Sequence, residues 1–101
     1  MFRDLSDYPR PGVEPRLIQR FASLTGKRVL EIGCGEGRLT LQVAPLAGSV
    51  VALDPDPTSI KIARRGAATD GVTNVFFHVG SAQRMRFGGG PFDIALFSWS
   101  L

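Results

Sequence analysis

Cysteine, histidine, tryptophan and tyrosine each occur only once in this 101-residue chain. One cysteine cannot form an intramolecular disulfide, so the fold needs no cross-link and a reducing, cytoplasmic compartment is expected. With one histidine, no Cys-x-x-Cys pair and no carboxylate cluster, the expected metal site is none. No apolar run approaches the roughly 18 residues of a membrane-spanning helix. Met1 to Asp7 carries acids and lacks an apolar core segment, so no signal peptide is expected. Charge is not concentrated either. The net charge is +3, but the arginines are interleaved with aspartates and glutamates. The densest group, Lys61, Arg64 and Arg65, falls on one side of a predicted helix and reads as a solvated face. Nucleic-acid binding is not indicated.

What is present fits one domain. Hydrophobic residues make up 44% of the chain, and a chain of this length buries roughly 65% of its unfolded surface. Residues 1–13, with Pro9, Pro11 and Gly12 close together, read as irregular. A helix is predicted from Glu14, with Pro15 in its first turn and Leu17, Ile18, Phe21 and Leu24 on one face. Gly26 stops it. Arg28 to Ile32 reads as a strand covered on both faces. Leu39, Val43 and Leu46 give the next helix a buried stripe, which Pro45 must kink or end and Gly48 closes.

Val50 to Leu53 is the second strand. Asp56 reads as an N-cap and Pro57 as the first helical residue, with Ile60, Ala63 and Ala67 facing inward. Val75 to Val79 and Phe92 to Ser98 are the third and fourth strands, separated by a loop-rich stretch containing Gly88-Gly89-Gly90. Strands alternating with helices predict an α/β fold with a mostly parallel sheet.

The most informative segment runs from Arg28 to Arg38. An apolar strand meets Gly33, Gly35 and Gly37 at alternate positions, and a helical pattern follows. Such a turn lets a ligand approach bare backbone and reach unpaired N–H groups. About 20 residues on, the second strand ends in Asp54, a carboxylate placed to grip a ribose. The glycine spacing departs from the dinucleotide pattern G-x-G-x-x-G, because Arg38 occupies the third glycine's place. No Lys-Ser or Lys-Thr follows, as a P-loop requires. Glu31, just before the first glycine, would repel a pyrophosphate and suit an ammonium or sulfonium, directly or through water.

These residues resemble class I S-adenosylmethionine-dependent methyltransferases. Val29-Leu30-Glu31-Ile32-Gly33-Cys34-Gly35-Glu36-Gly37 is similar to that family's first motif, and Val51-Ala52-Leu53-Asp54 to its second. Val75 to Ala82 resembles its third strand and adenine-side loop, and Phe92 to Leu101 its fourth strand and exit. The likeness covers about residues 14–101, which would form the cofactor-binding domain in part. It implies a Rossmann-like three-layer sandwich with strand order 3-2-1-4 and S-adenosyl-L-methionine as cofactor. Gly33, Cys34, Gly35 and Gly37 would let backbone approach the methionine part, with Glu31 near its ammonium. Asp54 would accept both ribose hydroxyls and Pro55 would lie near the adenine edge. Ser81 and Ala82 would border the adenine on its other side, and Phe97 and Ser98 would close the pocket. An acid often stands at the place of Ser81 in the family; the serine would weaken adenine binding without abolishing it.

The resemblance also sets expectations about the acceptor. The tail Phe97-Ser98-Trp99-Ser100 lacks the Asn/Asp-Pro-Pro-Tyr run of amino-directed DNA methyltransferases, which favours a small-molecule substrate. Family domains continue past the fourth strand, so the chain reads as truncated there. The exposed fourth-strand edge then invites self-association or a partner. A catalytically silent cofactor-binding fragment, or half of a split protein, is the alternative; a nicotinamide-binding protein is disfavoured by the glycine spacing and Glu31. No residue reads as a catalytic base. Cys34 has no base beside it and reads as a small side chain in a tight loop. His78 reads as structural, Asp93 as a turn or cap, and Trp99 as either a core residue or a stacking platform.

Overall fold

Four short apolar segments place their side chains alternately on two faces, and only pairing satisfies their backbone groups. The computed structural model describes residues 23–81 and 90–98. In it these segments form β1 (Arg28–Ile32), β2 (Ser49–Asp54), β3 (Val75–Val79) and β4 (Ile94–Phe97). All three pairings are parallel, as the alternation of strands and helices predicts, and the order is β3-β2-β1-β4, as the family resemblance implies. Register is set by Val29 opposite Val50 on one side and Ile94 on the other, and by Val50 opposite Val75. The irregular segment 1–13, the helix expected from Glu14 through Phe21, Ala82, and Trp99 with its neighbours lie outside the described residues.

Two helices connect the first three strands. α1 (Arg38–Val43) follows the glycine loop and gives way at Pro45 to a 3₁₀ turn, Ala44–Leu46. The ring of Pro45 cannot continue an α-helix, so the predicted stripe ends at Val43 and resumes in the tighter turn. α2 (Pro57–Thr69) starts as the sequence indicates. Asp56 is its N-cap and accepts the Thr58 N–H at 3.0 Å, with Pro57 in the first turn. Ile60, Ala63 and Ala67 are its buried residues.

Both helices cover one face of the sheet. Val29, Val50, Ala52, Phe77, Ile94 and Leu96 pack there against Leu39, Val43, Ile60 and Ala63. Fully burying a side chain the size of Ile60 or Val43 contributes roughly 1.5–3 kcal/mol. Leu30, Val51 and Leu53, with Ile32 and Phe92, form a second cluster; strand alternation puts it on the opposite face. Leu24 is fully buried in the first cluster.

β4 is shorter than the sequence pattern indicates, because Phe92 and Asp93 are taken up in a clamp at its start. Asp93 Oδ2 accepts the Arg28 N–H at 2.8 Å, and the Asp93 N–H returns to the Arg28 carbonyl at 2.8 Å. The Arg28 guanidinium lies 4.1 Å from the centre of the Phe92 ring. Asp93 therefore has the turn role expected of it. No helix among the described residues is long and apolar enough to cross a membrane.

Candidate functional site

The strand order reverses between β1 and β4, and in open parallel sheets a crevice opens at the carboxyl ends of the strands there. A cavity of about 270 Å³ lies at that point, lined by Glu31, Cys34, Gly35, Glu36, Arg38, Leu39, Ser59 and Ser98. It is built from the tip of β1, the glycine loop, the start of α1, the first turns of α2 and the exit of β4.

The loop is shaped by its glycines. Gly33, Gly35 and Gly37 have φ of 79°, 56° and 88°, left-handed values that cost any other residue roughly 1–2 kcal/mol each. The glycine pattern predicts unpaired N–H groups here, but these amides are bonded within the protein. Gly33 and Cys34 both donate to the Leu53 carbonyl, at 2.8 and 2.9 Å, and Gly37 donates to the Cys34 carbonyl at 3.0 Å. The Gly35 N–H donates to Asp54 Oδ2 at 2.9 Å. Four loop amides are thus satisfied within the protein, so they do not form a cradle for pyrophosphate.

Asp54 sits half-buried at the tip of β2. Its other oxygen accepts the Asp56 N–H at 2.9 Å. Each carboxylate oxygen has about two lone-pair sites, so one on each is left for a diol. Pro55 and Ser81 are exposed on the strand exits, and neither lines the cavity.

Glu31 is fully buried. The Thr40 hydroxyl donates to its Oε1 at 2.5 Å and the Ser98 hydroxyl donates to its Oε2. Burial pushes its pKa above the ordinary carboxylate range, and the bonds from Ser98 and Thr40 oppose that rise. Cys34 is buried, and its Sγ contacts the Gly35 carbonyl at 3.6 Å. Desolvation, followed by the nearby charges of Glu31 and Asp54, pushes its thiol up to about 12. A thiol so shifted stays protonated at neutral pH and is a poor nucleophile.

Of the residues singled out in the sequence, Glu31, Cys34, Gly35 and Ser98 come together around the cavity. Gly33 and Asp54 shape its loop from behind. Gly37 turns away from it: a side chain there would meet the Ala63 Cβ at 3.0 Å, so this glycine serves the contact between α1 and α2. Phe97 is half-buried and does not line the cavity; strand alternation puts it on the face opposite Ser98. Ala82 lies outside the described residues.

Sequence reasoning missed Glu36, Arg38 and Ser59 in the lining, and Thr40 behind it. Glu36 and Arg38 flank Gly37 in the motif itself, and their exposure on a glycine loop was the available signal. Ser59 gave no signal, since its side chain also bonds Asp56 at 2.9 Å as part of the helix cap.

A family model described as "Methyltransferase domain" matches residues 29–101, most of the chain and all of this site. The chain belongs to the methyltransferase domain family. Aklanonic acid methyltransferase DauC from Streptomyces sp. (strain C5) is 35% identical over 105 residues, covering 95% of this chain and 48% of DauC. A ubiquinone biosynthesis O-methyltransferase from Rhizobium etli is 42% identical over 73 residues, covering 72% of this chain and 29% of that protein. Among solved structures, the YcgJ protein from Bacillus subtilis superposes with a TM-score of 0.72 at 29% identity, covering 82% of this chain and 36% of that one. The chain thus spans about half the length of one of these curated relatives and under a third of the other.

The cofactor of this methyltransferase family is S-adenosyl-L-methionine. The donor set of the site fits it. The cavity lining includes the acids Glu31 and Glu36, a residue type suited to a cationic group, and the cation Arg38, suited to a carboxylate.

Proposed function

We propose that this chain carries the cofactor site of a methyltransferase acting on a small-molecule acceptor, with S-adenosylmethionine held between the glycine loop and β4. The observation that carries this reading is the cavity where the strand order reverses. There acidic side chains and an arginine line the cavity, while the amides of Gly33, Cys34 and Gly35 are spent on Leu53 and Asp54. That arrangement favours a cationic amino acid over a pyrophosphate, and so disfavours a nicotinamide dinucleotide.

The cofactor supplies an activated methyl group; the chain supplies position. Asp54 would take the ribose diol, in charge-assisted hydrogen bonds worth roughly 1.5–3 kcal/mol each. Arg38 would take the carboxylate of the amino acid end. Pro55 and Ser81, at the strand exits beyond Asp54, would flank the adenine. Catalysis would then rest mainly on orienting the methyl toward its acceptor. The names of two relatives support a small-molecule acceptor: one is an aklanonic acid methyltransferase, the other a ubiquinone biosynthesis O-methyltransferase.

Calorimetric titration with S-adenosylhomocysteine tests the reading, with NAD and the Asp54→Ala variant as controls. Saturable binding that the substitution weakens about tenfold, roughly 1.4 kcal/mol, is expected, with no saturable binding of NAD. A folded chain that binds NAD in preference to S-adenosylhomocysteine would refute it.

A further inference from the structure

β3 borders the sheet: it pairs with β2 and with no other strand among the described residues. The ladder decides which of its backbone groups face outward. Val50 N–H donates to the Asn74 carbonyl and Gly80 N–H to the Asp54 carbonyl, each at 2.9 Å. Residues 74 and 80 therefore turn their backbone toward β2, and in the register of β2 and β3 Phe76 and His78 do the same. Val75, Phe77 and Val79 turn theirs to the outside. Such a row of N–H and C=O groups is a template for another strand. The strand itself, Val75–Val79, holds no lysine, carboxylate or proline to blunt the edge, and Phe76 and Val79 are 59% and 45% exposed.

One side chain interrupts that row. Arg64, part of a group that the sequence presents as a solvated face, reaches across from α2, and its Nη2 donates to the Phe77 carbonyl at 2.9 Å. That carbonyl is the middle one of the outward set. A groove of about 380 Å³ runs between α2 and β3 there. α2 lines it with Arg64, Ala67 and Ala68, so Arg64 is the only long side chain that the helix gives to it.

We infer that Arg64 closes the β3 edge to a second copy of this chain. Two β3 strands brought together antiparallel about a two-fold axis through Phe77 would oppose the same three outward residues on both sides. At the centre each Phe77 would exchange both backbone bonds with its counterpart. Arg64 already holds that carbonyl, and its guanidinium is charged at every ordinary pH. Pairing would bring two such cations together with no carboxylate on either strand to meet them. Like charges so placed oppose association, and a charge buried without a partner is costly. Lys61, exposed one turn earlier on α2, adds to the repulsion.

Sedimentation velocity over a concentration series tests this. Arg64→Met keeps the aliphatic stem and removes the guanidinium. It is expected to self-associate at concentrations about tenfold or more below those the unaltered chain needs. Arg64→Lys, which keeps a cation at the edge, should behave as the unaltered chain does. Val79→Pro removes an outward donor without cutting a bond to β2, so adding it to Arg64→Met should restore the unaltered behaviour. Association through β4, at the other border of the sheet, would be common to all these chains and cancels in the comparison. Equal association of Arg64→Met and the unaltered chain would overturn the inference. So would extra association that Val79→Pro leaves in place, or an Arg64→Lys chain that associates as Arg64→Met does. Should either substitution unfold the chain, Arg64→Gln or Val79→Lys takes its place under the same criteria.

Discussion

Asp54 holds Gly35: the carboxylate at the tip of β2 accepts the backbone N–H of the loop that leaves β1, at 2.9 Å. A residue expected to meet only a ligand is also part of the frame that shapes the ligand's site. Its second oxygen receives Asp56 N–H, so one side chain organises the glycine loop and the entry to α2 together.

This double use predicts a stability cost separate from any binding cost. Asp54→Ala leaves the Gly35 and Asp56 amides without their acceptor. A net hydrogen bond to a charged group contributes about 1.5–3 kcal/mol, less where water can replace it. We expect Asp54→Ala to lower unfolding free energy by about 1–3 kcal/mol and Asp54→Asn by less, as measured by urea denaturation. Equal stability of Asp54→Ala and the unaltered chain would show that water replaces both bonds at no cost.

Gly37 predicts a contrast between two glycines. Both Gly37 and Gly71 have positive φ, but a Cβ at Gly37 would meet the Ala63 Cβ at 3.0 Å, while one at Gly71 meets nothing within 4 Å. Gly71→Ala should cost only the left-handed backbone term, about 1 kcal/mol. Gly37→Ala adds overpacking and should cost about 2–4 kcal/mol in all. Thermal melts of the two variants check this; a smaller loss at Gly37 than at Gly71 would mean that α1 and α2 separate freely.

Cys34 should be slow to alkylate. Its thiol is pushed up to about 12 by burial and by the charges of Glu31 and Asp54. Iodoacetamide at neutral pH is expected to label the folded chain far more slowly than the same chain in urea, as followed by mass spectrometry. Rapid labelling of the folded chain would place Cys34 in a much more open setting than the one observed.

The raised pKa of Glu31 predicts a pH effect of definite sign. Its carboxyl binds a proton more readily folded than unfolded, because burial disfavours the charge. Between the unfolded value, about 4.3, and the higher folded value, the native state holds more protons. Stability from this group therefore falls as pH rises through that window and then levels off. Glu31→Gln removes the titration while keeping the shape. The melting temperature of the variant relative to the parent should increase with pH across that interval, and a pH-independent difference would contradict the buried carboxyl's role.

Much of this protein is determined locally and can be read directly from residue order. The bounds of β1 and β3 and the capped start of α2 follow from short apolar runs, Asp56 and Pro57. The three alternate glycines announce a loop of left-handed residues, and the position of Asp54 announces its carboxylate. These are short-range signals, in which a residue's type constrains its own backbone or its immediate neighbours. Tertiary structure alone decided the rest. That Thr40 and Ser98 would hold Glu31 from opposite sides depended on packing α1 onto β1 and on pairing β1 with β4. That Gly37 would answer to Ala63, and that the amides of Gly33, Cys34 and Gly35 would be spent on Leu53 and Asp54, depended on how closely two βα units approach. No periodicity encodes such contacts. They arise when separate elements are brought together, and buried polar groups must then find partners among whatever that packing places beside them.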